Sequence, residues 1–213
     1  SRLDRLATIK GLAQLGATLG REFSYELLQA IAPWDEATLR GGLHQLVEAE
    51  FLYQQGLPPQ ATYVFKHALI QDTAYQSLLR STRQQYHQRI AQVLEVRFPE
   101  IAETQPELLA HHYTEAGLAA QAVGYWQQAG QRAHARAAPA EAVVHFTQGL
   151  ALLPTLPDGP ERVQQELTLQ LALGPALMVT RGFAAPEVGA AYTRARLLCQ
   201  QVEETPELFR VLR

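Results

Sequence analysis

Apolar positions in most of this chain recur every three or four residues, the period of a helix with one buried face. Leu3, Leu6, Ala7, Leu12 and Ala13 carry that pattern first, and Gly16 and Gly20 close the segment. Ser24 is placed to cap a short second helix running to about residue 31, which Pro33 then breaks. Asp35 is a good N-cap for a third helix over about 36–49, whose Leu39, Leu43, Leu46 and Val47 fall on one stripe.

At residue 51 the period changes. Phe51-Leu52-Tyr53-Gln54 and Thr62-Tyr63-Val64-Phe65 are short, aromatic and alternating, and Gly56-Leu57-Pro58-Pro59 supplies a turn between them. A two-stranded hairpin is marginal alone, so this one must pack on the helices. Three helices followed by a hairpin is the order of a winged helix. A fourth helix is expected next, with Ile70, Ala74, Tyr75, Leu78 and Leu79 facing inward.

From about Thr82 the pattern is helical throughout. Tyr86, Ile90, Val93 and Leu94 mark one helix, ended by Pro99, and Pro106 and Gly117 bracket the next. Two helices follow, about 119–137 and 139–153, and then a loop rich in proline from Pro154 to Pro160. A long helix runs to about Val179, and Arg181-Gly182-Phe183 breaks it. The last starts at Pro186 and carries Val188, Tyr192, Ala195, Cys199 and Val202 on one face.

Within this helical half a repeat is visible. The tetratricopeptide pattern has a period of about 34 residues, with Trp, Gly, Ala, Phe and Pro at set offsets. Trp126, Gly130, Ala142, Phe146 and Pro154 fall at those spacings, while Ala129 stands where Leu is usual and Ala133 where Tyr is usual. Small residues at such positions let antiparallel helices approach, and the aromatics fill the gaps beside them. The best repeat is about 123–156, with degenerate copies at about 84–117 and 161–203. The division expected is a winged-helix-like module over 1–81 and tetratricopeptide-like repeats over 82–213, a mainly α chain with one hairpin. Such repeats either offer a concave surface to a peptide or partner, or act as a spacer packed on its neighbours. The sequence leaves both open.

Composition narrows the chemistry. Apolar residues make up 47% of the 213 and charged residues 18%, which is a globular rather than a disordered balance. The single cysteine, Cys199, excludes a disulfide within the chain, and its place on the apolar stripe reads as a buried small hydrophobe. A reducing, cytoplasmic setting is expected. No run is long and apolar enough for a membrane helix, and Ser1-Arg2-Leu3-Asp4-Arg5 lacks the apolar core of a signal peptide. The missing initiator Met, and a helical pattern that stops at Leu208-Phe209-Arg210-Val211-Leu212, predict a piece of a longer protein.

No Gly-rich phosphate loop and no Gly-x-Ser-x-Gly elbow is present. His111 and His112 are adjacent, so they point in different directions on a helix and make no ligand pair; His134 and His145 read as packing or surface residues. Glu203-Glu204 reads as a solvated pair near a helix end. Neither a catalytic residue nor a metal site is expected in this chain. DNA binding by the winged helix is the rival. Its third helix would enter the major groove, but Arg40 and His44 there are outweighed by Glu36, Glu48 and Glu50, and a net charge of −3 does not favour phosphate contacts. Arg80, Arg83 and Arg89 cluster after the hairpin and read as a charged helix junction.

Three segments carry a resemblance. They are Gly20-Arg21-Glu22-Phe23, the run from Tyr63 through His67 and Asp72 to Leu79, and Pro106-Glu107-Leu108-Leu109-Ala110-His111-His112-Tyr113. Together they resemble the middle region of large bacterial signal-transduction ATPases of the STAND/AAA type. In those proteins a class III adenylate/guanylate cyclase domain, or a DNA-binding output domain, is joined to a P-loop ATPase, then a winged helix and tetratricopeptide-like repeats. The resemblance covers nearly the whole chain. It implies a regulatory region with no cofactor of its own, ATP or ADP bound elsewhere in the parent, and the parent's ATPase domain as a partner beside a protein or small-molecule ligand. It also implies a role for His67, at the position where related switch ATPases use a winged-helix histidine to contact the phosphates of ADP. The residue-level alternative for His67 is capping or packing at the hairpin junction. The alternative for the chain is a transcriptional regulator whose winged helix binds DNA.

Overall fold

The computed structural model describes residues 2–204, with the side chains of 6–201. The side chains of Leu3, Val202, Glu203 and Glu204, and the 208–212 stretch, therefore lie outside the described residues. The chain is mainly α with one small antiparallel sheet, and it divides into two compact units, Ser1–Pro99 and Glu100–Arg213.

The first unit runs α1 (Arg2–Leu19), β1 (Glu22–Ser24), α2 (Tyr25–Ile31), α3 (Glu36–Glu48), β2 (Leu52–Gln55), β3 (Thr62–Phe65), α4 (Ala68–Gln76) and α5 (Arg80–Arg97). Both expected caps form: Ser24 Oγ accepts from Leu27 N at 3.2 Å and Asp35 Oδ1 from Thr38 N at 2.9 Å. Gly16 does not close α1, which runs on to Leu19; Gly16 instead leaves room for the Phe23 ring, and Gly20, at φ +138, follows the helix end.

The sheet has three strands where the sequence pattern predicts two, in the order β1-β3-β2. The added strand, β1, pairs Phe23 with Tyr63, and Phe23 stacks on the Tyr63 ring at 5.9 Å between centroids. It is three residues long, squeezed between a glycine and a helix cap, so it has no alternation to read. Its physical role is clear: a third strand lends the hairpin the support that two strands lack. Leu12, Leu28, Leu39, Leu43, Leu46 and Phe65 fill the core behind it.

Two expectations for α4 change. The helix ends at Gln76, Leu78 is buried beyond it, and Leu79 is 74% exposed as the residue before α5. Arg83 closes the junction. Its Nη2 donates to the carbonyls of Tyr75 at 3.3 Å and Leu78 at 3.5 Å, and its guanidinium lies 4.3 Å from the centre of the Tyr75 ring. The Tyr75 hydroxyl is in turn 2.9 Å from Nε2 of the buried His87. The change of pattern at 81/82 assigns α5 to the repeats, but α5 packs on α1 and α2 and falls in the first unit.

The second unit contains α6 (Pro99–Thr104), α7 (Pro106–Glu115), α8 (Ala119–Ala135), α9 (Pro139–Leu152), a 3₁₀ turn at Leu153–Thr155, α10 (Pro160–Arg181) and α11 (Pro186–Glu204). Pro99 thus opens a short helix as well as following the end of α5. From α7 onward each helix packs on the next, α7 on α8, α8 on α9, α9 on α10 and α10 on α11. The short links between α7, α8 and α9 keep successive helices packed side by side, and Gly117 at φ +76 makes the first of these turns. A continuous core of Val123, Ala142, Phe146, Leu169, Leu173 and Val188 joins α8 through α11.

Candidate functional site

His67 precedes α4 in extended backbone and is exposed, and its side chain makes no capping hydrogen bond. Its carbonyl instead accepts from Ile70 N at 3.0 Å, which starts the helix. Beside it in sequence, Lys66 Nζ lies 2.9 Å from Glu50 Oε2 and 5.4 Å from the centre of the Tyr53 ring. The hydrogen bond from Lys66 holds the Glu50 carboxyl below the ordinary carboxylate range, and the same bond raises the Lys66 ammonium. The imidazole of His67 therefore projects from the junction of β3 and α4.

The exposed face of α3 is electrostatically self-contained. Arg40 Nη2 is 2.6 Å from Glu36 Oε1, and Arg40 Nε donates to the Tyr25 hydroxyl at 3.3 Å. His44 Nε2 is 3.4 Å from Glu48 Oε1. Each basic side chain thus has a carboxylate of its own helix beside it, and Arg40 also reaches Tyr25 on α2. In the Arg80, Arg83 and Arg89 group, Arg83 is committed to the α4 carbonyls while Arg80 and Arg89 are exposed.

An apolar groove of about 610 Å³ crosses the first unit between α1 and α4. Ile9 and Ala13 of α1, Ile70 and Ala74 of α4, and Leu46 and Phe51 line it. Leu6 and Leu69 stand at its sides with more than half their surface exposed.

In the second unit the repeat-spaced residues meet across α8 and α9. Gly130 lies directly under the Phe146 ring, and Ala142 and Phe146 are buried. Trp126 is half-buried; its Nε1 donates to Thr114 Oγ1 at 3.0 Å and its ring stacks on His145 at 5.5 Å. Pro154 is exposed in the 3₁₀ turn, so it ends α9 rather than filling a gap.

A second cleft, of about 500 Å³, opens among α9, α10 and α11. Its apolar floor includes Leu150, Leu173 and Leu177, and Arg181, Glu187 and Arg194 also line it. Arg194 is gripped on one edge by Glu166, Nε to Oε1 at 2.5 Å and Nη2 to Oε2 at 2.7 Å, and the carboxylate raises the guanidinium still further. Sequence reasoning missed these residues. Arg194 and Glu166 are 28 positions apart, and only the antiparallel packing of α10 on α11 brings them together. Arg181 registers in the sequence solely as part of a helix break.

Among the described residues no group of three or more His, Cys, Asp or Glu is arranged to hold a metal. His111 is exposed and His112 buried, with their rings 5.4 Å apart edge to face. His134 is exposed. Cys199 is exposed, against the expectation of burial, because the buried stripe of α11 runs through Val188, Ala191, Ala195 and Leu198. Among the described residues no helix is long and apolar enough to cross a membrane.

An uncharacterized protein of Rhizobium meliloti (strain 1021) is 30% identical to this chain over 196 residues, which are 92% of this chain and 19% of that protein. The chain therefore spans about a fifth of the length of that relative. No family model matches the chain, and no solved structure matches it.

Proposed function

We propose that this chain is the non-catalytic regulatory and interaction region of a cytoplasmic signal-transduction ATPase, with a winged helix that relays nucleotide state and tetratricopeptide-like hairpins that bind a protein or small-molecule ligand. The observation that carries this reading is the element order. Helix, short strand, two helices and a hairpin, with the short strand paired to the second strand of the hairpin, supports a winged helix. Helices packed each on the next, with Gly130 under Phe146, follow it, and this succession supports a helical repeat array. Fold alone does not assign a role, so the sites must carry it. The apolar groove between α1 and α4 offers a face for the parent's ATPase domain, and the exposed imidazole of His67 is free to meet a phosphate of ADP bound there.

A DNA-reading winged helix is the weaker alternative, because Arg40 and His44 on α3 stand beside the acidic Glu36 and Glu48 and the chain carries a net charge of −3. The test is the coding sequence upstream of Ser1. A Gly-x4-Gly-Lys-Ser/Thr loop after a strand, in a protein that binds ATP or ADP, is the expected result. An upstream region with no phosphate loop, or one that binds no nucleotide, overturns the reading.

A further inference from the structure

We infer that the cleft among α9, α10 and α11 is a binding site for a short apolar peptide with both ends free, its carboxylate taken by Arg181 and its ammonium by Glu187. The size is right: about 500 Å³ falls within the range of small-ligand pockets, roughly 300–1,000 Å³. The floor is apolar, with Leu173 and Leu177 one turn apart on α10 and Leu150 facing them from α9, so it takes apolar side chains.

The charges decide the class of ligand. Arg181 closes α10 and Glu187 opens α11, and both line this one cleft. Among the described residues neither is in an ion pair, although they are opposite in sign. Arg194 differs. Its fork is held by Glu166, so its charge is matched, and the edge away from that carboxylate keeps N–H donors for a peptide carbonyl. A purely anionic ligand would satisfy Arg181 and oppose Glu187, and a cationic one the reverse. A ligand with one charge of each sign satisfies both. Gln170 and Thr147 add an amide and a hydroxyl at the walls, groups that suit a peptide backbone. The capture of a free chain end by fixed donors is a recurrent mode of peptide recognition.

The site rests on reading α7–α11 as ligand-binding repeats, and its test is independent of the ATPase assignment. Calorimetric titration of the 213-residue chain with Leu-Ala-Leu is expected to show saturable binding. The C-terminal amide and the N-acetyl form should each bind about tenfold more weakly, the loss that accompanies one charge-assisted contact. Arg181→Gln should weaken the free peptide to the level of the amide without changing the amide itself, and Glu187→Gln should do the same for the acetylated form. Both positions are exposed, and unchanged melting of the variants shows that they fold. Gly-Gly-Gly, with the same ends and no apolar side chain, should fail to bind. Absence of saturation at millimolar peptide, equal affinity for all three end forms, equal affinity for Gly-Gly-Gly, or wild-type binding by a folded Arg181→Gln overturns the inference. An upstream region without a phosphate loop overturns the ATPase assignment and leaves this measurement standing.

Discussion

The ring of Phe146 rests on the backbone of Gly130, so closely that a Cβ on that glycine would penetrate it, and Phe146 is 1% exposed. The ring cannot swing out to solvent without emptying the core shared by α8, α9 and α10. Gly130→Ala therefore gains about 1 kcal/mol of helix propensity and loses more to overpacking, for a net loss of about 1–2 kcal/mol. Gly124, on the same helix, has nothing within 4 Å of the place its Cβ would occupy. Gly124→Ala should stabilise by about 0.5–1 kcal/mol. Denaturant unfolding of both variants checks the pair; equal effects at the two glycines would refute the packing account.

Acidification should weaken the first unit through Asp35. Hydrogen bonds from the Thr38 backbone and hydroxyl hold its carboxyl below the ordinary carboxylate range. A group with a depressed folded pKa contributes stability that is fully present above its unfolded pKa and is lost as pH falls through the folded one. The α3 cap is thus intact at neutral pH and fails on the acid side of the normal Asp range. Asp35→Asn keeps an acceptor at the cap but does not titrate. Melting followed by Trp34 fluorescence in a Trp126→Phe background should fall less steeply with acid in Asp35→Asn than in the parent.

DNA binding by the whole chain should be weak and without sequence preference. On α3 the basic Arg40 and His44 stand beside the acidic Glu36 and Glu48, and the chain carries a net charge of −3, so phosphate contacts are not favoured. Anisotropy titration of a labelled duplex at low salt is expected to give a Kd no tighter than about 10⁻⁴–10⁻⁶ M, the range of non-specific contact. Tighter binding, lost steeply as salt rises, would restore the transcription-factor alternative.

If the proposed nucleotide relay holds, His67→Ala in the full parent protein should speed ADP release and raise basal output, because losing a contact made only in a closed state shifts the equilibrium away from that state. A loss of about tenfold in ADP retention corresponds to one charge-assisted hydrogen bond. The side chain makes no capping bond in this unit, so the change should leave the melting of the 213-residue chain unaltered. Unchanged ADP retention would remove His67 from the nucleotide relay.

Local chemistry was legible in the sequence. Ser24 and Asp35 announce their helices, Gly117 and Gly182 their ends, and the aromatic alternation of Thr62–Phe65 its strand, because each depends on neighbours a few residues away. The meeting of Gly130 and Phe146 was legible too, since a small residue and an aromatic at that spacing suit two helices packed closely on each other. What lay beyond the sequence depends on partners far along the chain. β1 has three residues and exists because β3 is there to pair with it. Leu79 and Cys199 are apolar-patterned yet exposed, because helix ends and the rotation of α11 are set by contact rather than by period. The cleft is the furthest case. Arg181, Glu187, Arg194 and Glu166 carry no shared motif, and only the folding of α10 back against α11 turns four scattered charges into one lined site.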